Sequence, residues 1–347
     1  MTTRITIKKP DDWHLHVRDN DMLKAVLPYT AKHFGRAILM PNLIPPVRTS
    51  AECRVYRERV MAALPAGSKF KPLMTCYLTD DTDPDDVERG FRDGVFTGVK
   101  LYPANATTNS AAGVTDYKKV MRVLERMEKI DMPFLMHGEE TDPEVDVFDR
   151  EKAFIDRHLS KWVKQFANLR FILEHLSSKD GADYVKSAAP QVGGTITPYH
   201  MMLTRNDWFG HGLKPYMYVM PVIKTARDRT SLRKAAISGE ACYFLGTDSA
   251  PHPYSRKVST NGVPGMFNAP VAIETYARVF DEEGALDKLE AFASLNGPKH
   301  YRMPPNEDTI TLEKASWTAP AEVSVAGPDE RALVYRGGET IEWKVVA

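Results

Sequence analysis

Short runs that are almost wholly apolar recur along this chain, each followed by a loop and a stretch whose apolar residues return every third or fourth position. The runs are DWHLHV (12–17), RAILM (36–40), KPLMTCYL (71–78), GVFTGVKL (94–101), PFLMH (133–137), RFILEH (170–175), GGTITP (193–198) and ACYFLG (241–246). Strands this apolar are covered by helices on both faces. Between them, TDYKKVMRVLERMEKI (115–130) sets Val120, Val123, Leu124 and Met127 on one helical face, and FDREKAFIDRHLSKWVKQF (148–166) mixes apolar and charged positions. Eight strands alternating with helices predict an α/β fold, a (β/α)8 TIM barrel. After about residue 305 the rhythm changes. TITLEKA, AEVSVAG, ALVYRGG and TIEWKVV alternate with period two, which predicts a small C-terminal β-rich appendage over 305–347. The barrel core is expected over about 10–300, within a single domain of residues 1–347.

Polar residues interrupt this pattern at one end of the strands. His14 and His16 are two apart, so on a strand they share a face. His137 ends PFLMH, His175 ends RFILEH, Asp248 follows ACYFLG, and Lys100 stands near the end of GVFTGVKL. All sit at C-terminal strand ends, the rim on which barrel active sites are built. Each alone has a plainer explanation: the histidines as packing, Asp248 as a turn or N-cap residue, Lys100 as an outward-reaching side chain. Together they need a counter-charge, because unpaired buried charge is costly. Imidazole and carboxylate suit Zn²⁺ and similar ions. Four His and one Asp exceed what one tetrahedral ion takes, whereas a pair ~3.5–4 Å apart would use them all. A lysine buried beside cations loses its proton. The neutral amine can then take up CO2 as a carbamate, whose two oxygens can bridge two ions.

Composition narrows the partners. Lys plus Arg equals Asp plus Glu at 46 each, so no net field draws nucleic acid or an anionic membrane. Cys53, Cys76 and Cys242 are widely spaced and odd in number, which fits buried thiols in a reducing compartment. The N-terminal MTTRITIKKPDD has no apolar run suited to a signal peptide. No segment approaches the ~20 apolar residues of a membrane span. A cytoplasmic protein is expected.

The strings DDWHLHVRD, MPNL, VKLYPANATTNS, MHGE, LEHL and GTDSAPH together closely resemble the class II dihydroorotases of the amidohydrolase superfamily, along nearly the whole chain. The resemblance implies a small-molecule reaction, the reversible cyclisation of N-carbamoyl-L-aspartate to (S)-dihydroorotate plus water in de novo pyrimidine (UMP) biosynthesis. It implies one zinc held by His14 and His16 with Asp248 beside them, and a second held by His137 and His175. Lys100 would be an N6-carboxylysine bridging both ions together with a hydroxide. Asp248 would also transfer the proton. Arg18, Asn42 and His252 would hold the substrate carboxylate, and Thr107 and Thr108 would tip a mobile loop, 105–113, that closes over it. Met220 and Pro264 stand where the family uses main-chain contacts. Pro264 has no N–H, so that contact must come from its carbonyl or from Gly265, or be lost. The family also implies a homodimer.

The chemistry is coherent with these residues. Opening a cyclic amide needs a strong nucleophile, a polarised carbonyl and a proton for the leaving nitrogen; even one zinc can lower the pKa of bound water to ≈7. Arg18, on the same strand face as the two imidazoles but farther out, can pair with a carboxylate bidentately. A hydantoinase or allantoinase would keep the metal ligands but need no carboxylate clamp, so Arg18, Asn42 and His252 argue against one. A barrel turned binding protein would be expected to have lost ligands, and all six positions are filled. His200, near the seventh strand end, is expected to support or pack; His33, His158, His211 and His300 are expected at the surface or in packing.

Overall fold

The computed structural model describes residues 3–326 and 329–346. The chain opens with a strand that the sequence pattern does not single out, β1 (Arg4–Lys8), and then runs through the eight expected ones. These are β2 (Asp11–Leu15), β3 (Arg36–Leu39), β4 (Lys71–Tyr77), β5 (Gly98–Leu101), β6 (Phe134–Met136), β7 (Phe171–Leu173), β8 (Val192–Ile196) and β9 (Tyr243–Leu245). From β2 to β9 they pair in chain order, each parallel to the next and joined to it by helix, which is the (β/α)8 barrel. Except at the start of β4, every residue of these strands is buried, as helices on the outside and side chains within require.

The ring closes just past the ends of β9 and β2. Asp248 N donates to His14 O at 2.9 Å, and His16 N donates to Ser249 O at 3.0 Å. Asp12, wholly buried, accepts the Thr247 amide at 2.8 Å and its hydroxyl at 2.6 Å. The register between β2 and β3 shifts between Asp12 and Leu15, three residues in β2 facing two in β3. That is a bulge, so β2 departs from simple alternation. Trp13 joins Ile38, Leu135, Ile172 and Phe244 inside the barrel, stacked on Tyr301 at 4.2 Å, while His14 and His16 still meet at the mouth.

The C-terminal runs form short strands: β10 (Thr309–Glu313), β11 (Trp317–Thr318), β12 (Glu322–Ala326), β13 (Glu330–Leu333), β14 (Thr340–Ile341) and β15 (Lys344–Val345). They make three small antiparallel sheets, one of which takes β1 at its edge in the order β1-β10-β15. Gly327, which ends the expected run AEVSVAG, and the ends of the expected 1–347 span lie outside the described residues. Of the expected helices, 115–130 begins as a 3₁₀ turn, Tyr117–Val120, and continues as an α-helix, Met121–Lys129. Its Val120, Val123, Leu124 and Met127 are buried as the spacing requires.

Gly297 lies in the helix Asn296–Tyr301, where a Cβ would strike the Trp13 indole. Gly297→Ala should therefore destabilise the fold by about 1–3 kcal/mol through overpacking. Urea denaturation will measure this, and an unchanged midpoint would contradict the packing described.

Candidate metal centre

The site residues stand on or just beyond the strand ends. His14 lies in β2 and Lys100 in β5, and His137 follows β6 directly. His175 and Asp248 lie past β7 and β9 with left-handed backbones, φ 44° and 43°. Such conformations are uncommon outside glycine and concentrate at functional sites. Arg18 is not on the strand, as its spacing suggested, but in the following loop at φ 60°. All six metal-ligand candidates are buried.

Their ligand atoms converge in two groups. His14 Nε2 and His16 Nε2 are 3.2 Å apart, and each is 3.2 Å from Asp248 Oδ1. His137 Nδ1 and His175 Nε2 are 3.1 Å apart. The groups adjoin, with the His14 and His175 rings 5.0 Å between centroids. His137 Nε2 donates to Glu139 Oε2 at 2.8 Å, which leaves the lone pair on Nδ1 to face the cluster. Glu174 Oε1 lies 3.1 Å from His14 Nδ1, out of line for a hydrogen bond, and its other oxygen accepts from Lys100 Nζ. Lys100, wholly buried, also sits 5.0 Å from the centre of the Tyr102 ring.

Electrostatics favour a cation here. Burial, then Arg18, pulls His16 down to about 3, and burial, then His137, holds His175 well below its usual value. Burial opposes charge on His14 too, but Glu174 and Asp248 overcome it and lift His14 to about 9. Burial works against ionised Asp248, yet His14 keeps it well below the carboxylate range. Lys100 is lowered by burial, with Glu174 opposing. His16 and His175, held neutral beside ionised Asp248, are donors of the kind zinc takes, and the raised His14 shows that the acidic side of the cluster favours positive charge, so the residues fit such an ion.

The mouth above is closed. Asn42 Nδ2 donates to Thr108 O and Asn109 Nδ2 to Asn42 O, both at 2.9 Å, and Thr108 Oγ1 donates to Pro264 O at 3.1 Å. These bonds pin the 105–113 loop. Arg18, Asn42, Thr107, Thr108, Met220 and Pro264 line one cavity with the four histidines and Asp248; it measures about 20 Å³, room for a water molecule. Lys100 lies beneath this lining. His252 stands behind it, with Nε2 2.9 Å from both Arg18 Nη2 and Pro264 O. The Gly265 amide is committed to Tyr218 O at 2.9 Å, and the Pro264 carbonyl is the group here that faces His252.

Four contributors escape the sequence reading. Glu139 and Glu174 adjoin histidines in MHGE and LEHL, which was the available signal. Tyr199 Oη donates to Asp248 Oδ2 at 2.5 Å, and Lys257 is buried behind the cavity lining; neither has a local signature. His200 bonds Thr197 Oγ1 and Pro221 O, a packing role. His33, His158 and His300 are buried or half-buried away from the cluster, and His211 is exposed.

Comparison with known proteins adds an independent line. The amidohydrolase family model matches residues 10–316. A dihydroorotase of Synechococcus sp. strain RCC307 is 52% identical over 342 residues, covering 99% of this chain and 98% of that protein. The crystal structure of Saccharomyces cerevisiae dihydroorotase in complex with 5-fluoroorotic acid superposes with a TM-score of 0.92 at 32% identity, covering 99% and 98% of the two chains. The L-hydantoinase of Arthrobacter aurescens shares the fold, with a TM-score of 0.80 at 15% identity over 99% of this chain and 83% of its own.

His16→Ala should fold, by circular dichroism, but lose about one bound metal ion per chain. Elemental analysis of purified protein will test this, and wild-type metal content in the variant would remove His16 from the centre.

Proposed function

The chain belongs to the amidohydrolase family, and on that footing we propose that it is a dihydroorotase, closing N-carbamoyl-L-aspartate to (S)-dihydroorotate and reopening the ring in de novo pyrimidine biosynthesis. It is a cyclic amide hydrolase. The observation that carries this reading is the full-length likeness to dihydroorotases combined with Arg18 and Asn42 lining the same cavity as the four histidines and Asp248.

The donor set supports a binuclear zinc centre. His14, His16 and Asp248 would hold one ion and His137 and His175 the other, with Lys100, as an N6-carboxylysine, and a hydroxide joining them. Bound there, the ions supply Lewis acidity, activating water near neutral pH and polarising the ring carbonyl. Asp248 presents Oδ1 to the cluster while Tyr199 holds Oδ2, so the carboxylate is fixed where it can take a proton from the attacking water. It then hands that proton to the departing ring nitrogen. Ring closure runs the same transfers backwards.

Arg18, Asn42 and His252 hold the substrate carboxylate, and Met220 and the Pro264 carbonyl border it. Because the closed cavity admits little more than water, the Thr107–Thr108 loop must open for substrate and then shut bulk solvent out. Hydantoin has no carboxylate for Arg18 to meet, which disfavours the hydantoinase reading. Buried, unpaired Cys53, Cys76 and Cys242 suit a cytoplasmic enzyme. No helix among the described residues is long and apolar enough to cross a membrane. The homodimer rests on the resemblance.

Purified protein should turn over dihydroorotate and not hydantoin or allantoin; turnover of only the latter two would overturn the assignment. Asp248→Asn should retain the fold but lose about 10²–10⁴ in kcat, and a near-normal rate would remove its proton-transfer role. Lys100→Ala should fail to bind a second ion; two retained ions with full activity would refute the carbamate bridge.

A further inference from the structure

Lys257 has no part in the chemistry above and does not line the cavity, yet it is buried just behind it, against the loops that carry Met220 and Pro264. It ends the short helix Tyr254–Lys257 and is 4% exposed. Its Nζ donates to Tyr218 O at 2.8 Å and to Val263 O at 3.0 Å, and lies 6.0 Å from the centre of the Tyr218 ring. Among the described residues no carboxylate pairs with it. A buried, unpaired ammonium is costly, so its presence needs a compensating role.

The two carbonyls belong to separate stretches. Tyr218 precedes Met220 by two residues and Val263 directly precedes Pro264, and both Met220 and Pro264 line the cavity. Tyr218 O also accepts the Gly265 amide, so Lys257 sits at the joint where the stretches meet. From that joint the path to the clamp is short: Pro264 O lies 2.9 Å from His252 Nε2, which lies 2.9 Å from Arg18 Nη2. Arg18 is also close enough to help press the Lys257 proton affinity down, after burial, to about 7.

We propose that Lys257 is a positioning residue for the substrate carboxylate, locking the 218–220 and 263–265 backbones so that the Pro264 carbonyl sets His252 against Arg18. The inference rests on reading Arg18 and His252 as the carboxylate clamp. The long side chain lets one nitrogen donate to both carbonyls at once, which a shorter or apolar residue would not.

The test compares Lys257→Met, which keeps the apolar stem, with Arg18→Met, both as purified metal-loaded enzyme. For Lys257→Met the KM for dihydroorotate should rise by about tenfold or more with kcat changed less than about threefold, the signature of lost binding rather than lost chemistry. Metal content and melting temperature should stay near wild type. Should Lys257→Met fail to fold, Lys257→Gln, which can still donate to one carbonyl, should show a smaller rise in KM. An unchanged KM in a folded Lys257 variant, with KM raised in Arg18→Met, overturns the proposal and leaves the clamp standing. Loss of kcat and metal together, without a KM effect, assigns Lys257 to general stability and overturns it too. An unchanged KM in both variants would remove the clamp itself.

Discussion

The seam that closes the barrel is also the base of the candidate metal centre. The two hydrogen bonds joining the first and last barrel strands run between the backbones of His14, His16, Asp248 and Ser249, and Asp12 ties the Thr247 amide and hydroxyl beneath them. Closing the sheet therefore fixes the distances among two imidazoles and a carboxylate. Any error in closure would be an error in ligand geometry, and sites of this kind tolerate little looseness. The remaining ligand candidates are added by neighbouring strands whose pairing is set by the same ring.

Around that base the charges are arranged to favour a cation. Glu139 fixes which nitrogen of His137 faces the cluster, and Glu174 lies between Lys100 and His14. Burial and the neighbouring cations hold His16 and His175 neutral while Asp248 stays ionised. Above it, a separate group, cationic Arg18 with neutral His252 beside it, meets the Pro264 carbonyl and the underside of the 105–113 loop. The lower layer suits metal and the upper layer suits a carboxylate, which is the division of labour a ring-opening hydrolase acting on an anionic substrate needs.

Much of this was legible in the sequence. All eight barrel strands announce themselves as apolar runs, because burial on both faces leaves no other composition open. The strand-end histidines, Lys100 and Asp248 stand out because polar residues at the end of a buried strand demand a reason. What was not legible depends on contacts far apart in the chain. β1 pairs with β10 across some 300 residues, and RITIK is too short and too exposed to declare itself. The bulge in β2 hides behind a regular H-x-H spacing. Tyr199 reaches Asp248, and Lys257 reaches Tyr218, only after the barrel has brought separate loops together.

The most direct measurement is anomalous diffraction at the zinc edge from crystals of metal-loaded protein. The account predicts two peaks. One should lie ~2.0–2.1 Å from His14 Nε2 and His16 Nε2 and the other at that distance from His137 Nδ1 and His175 Nε2, with carbamate density on Lys100 between them. A map with no peak among these side chains, and Lys100 still unmodified against Glu174, would contradict it.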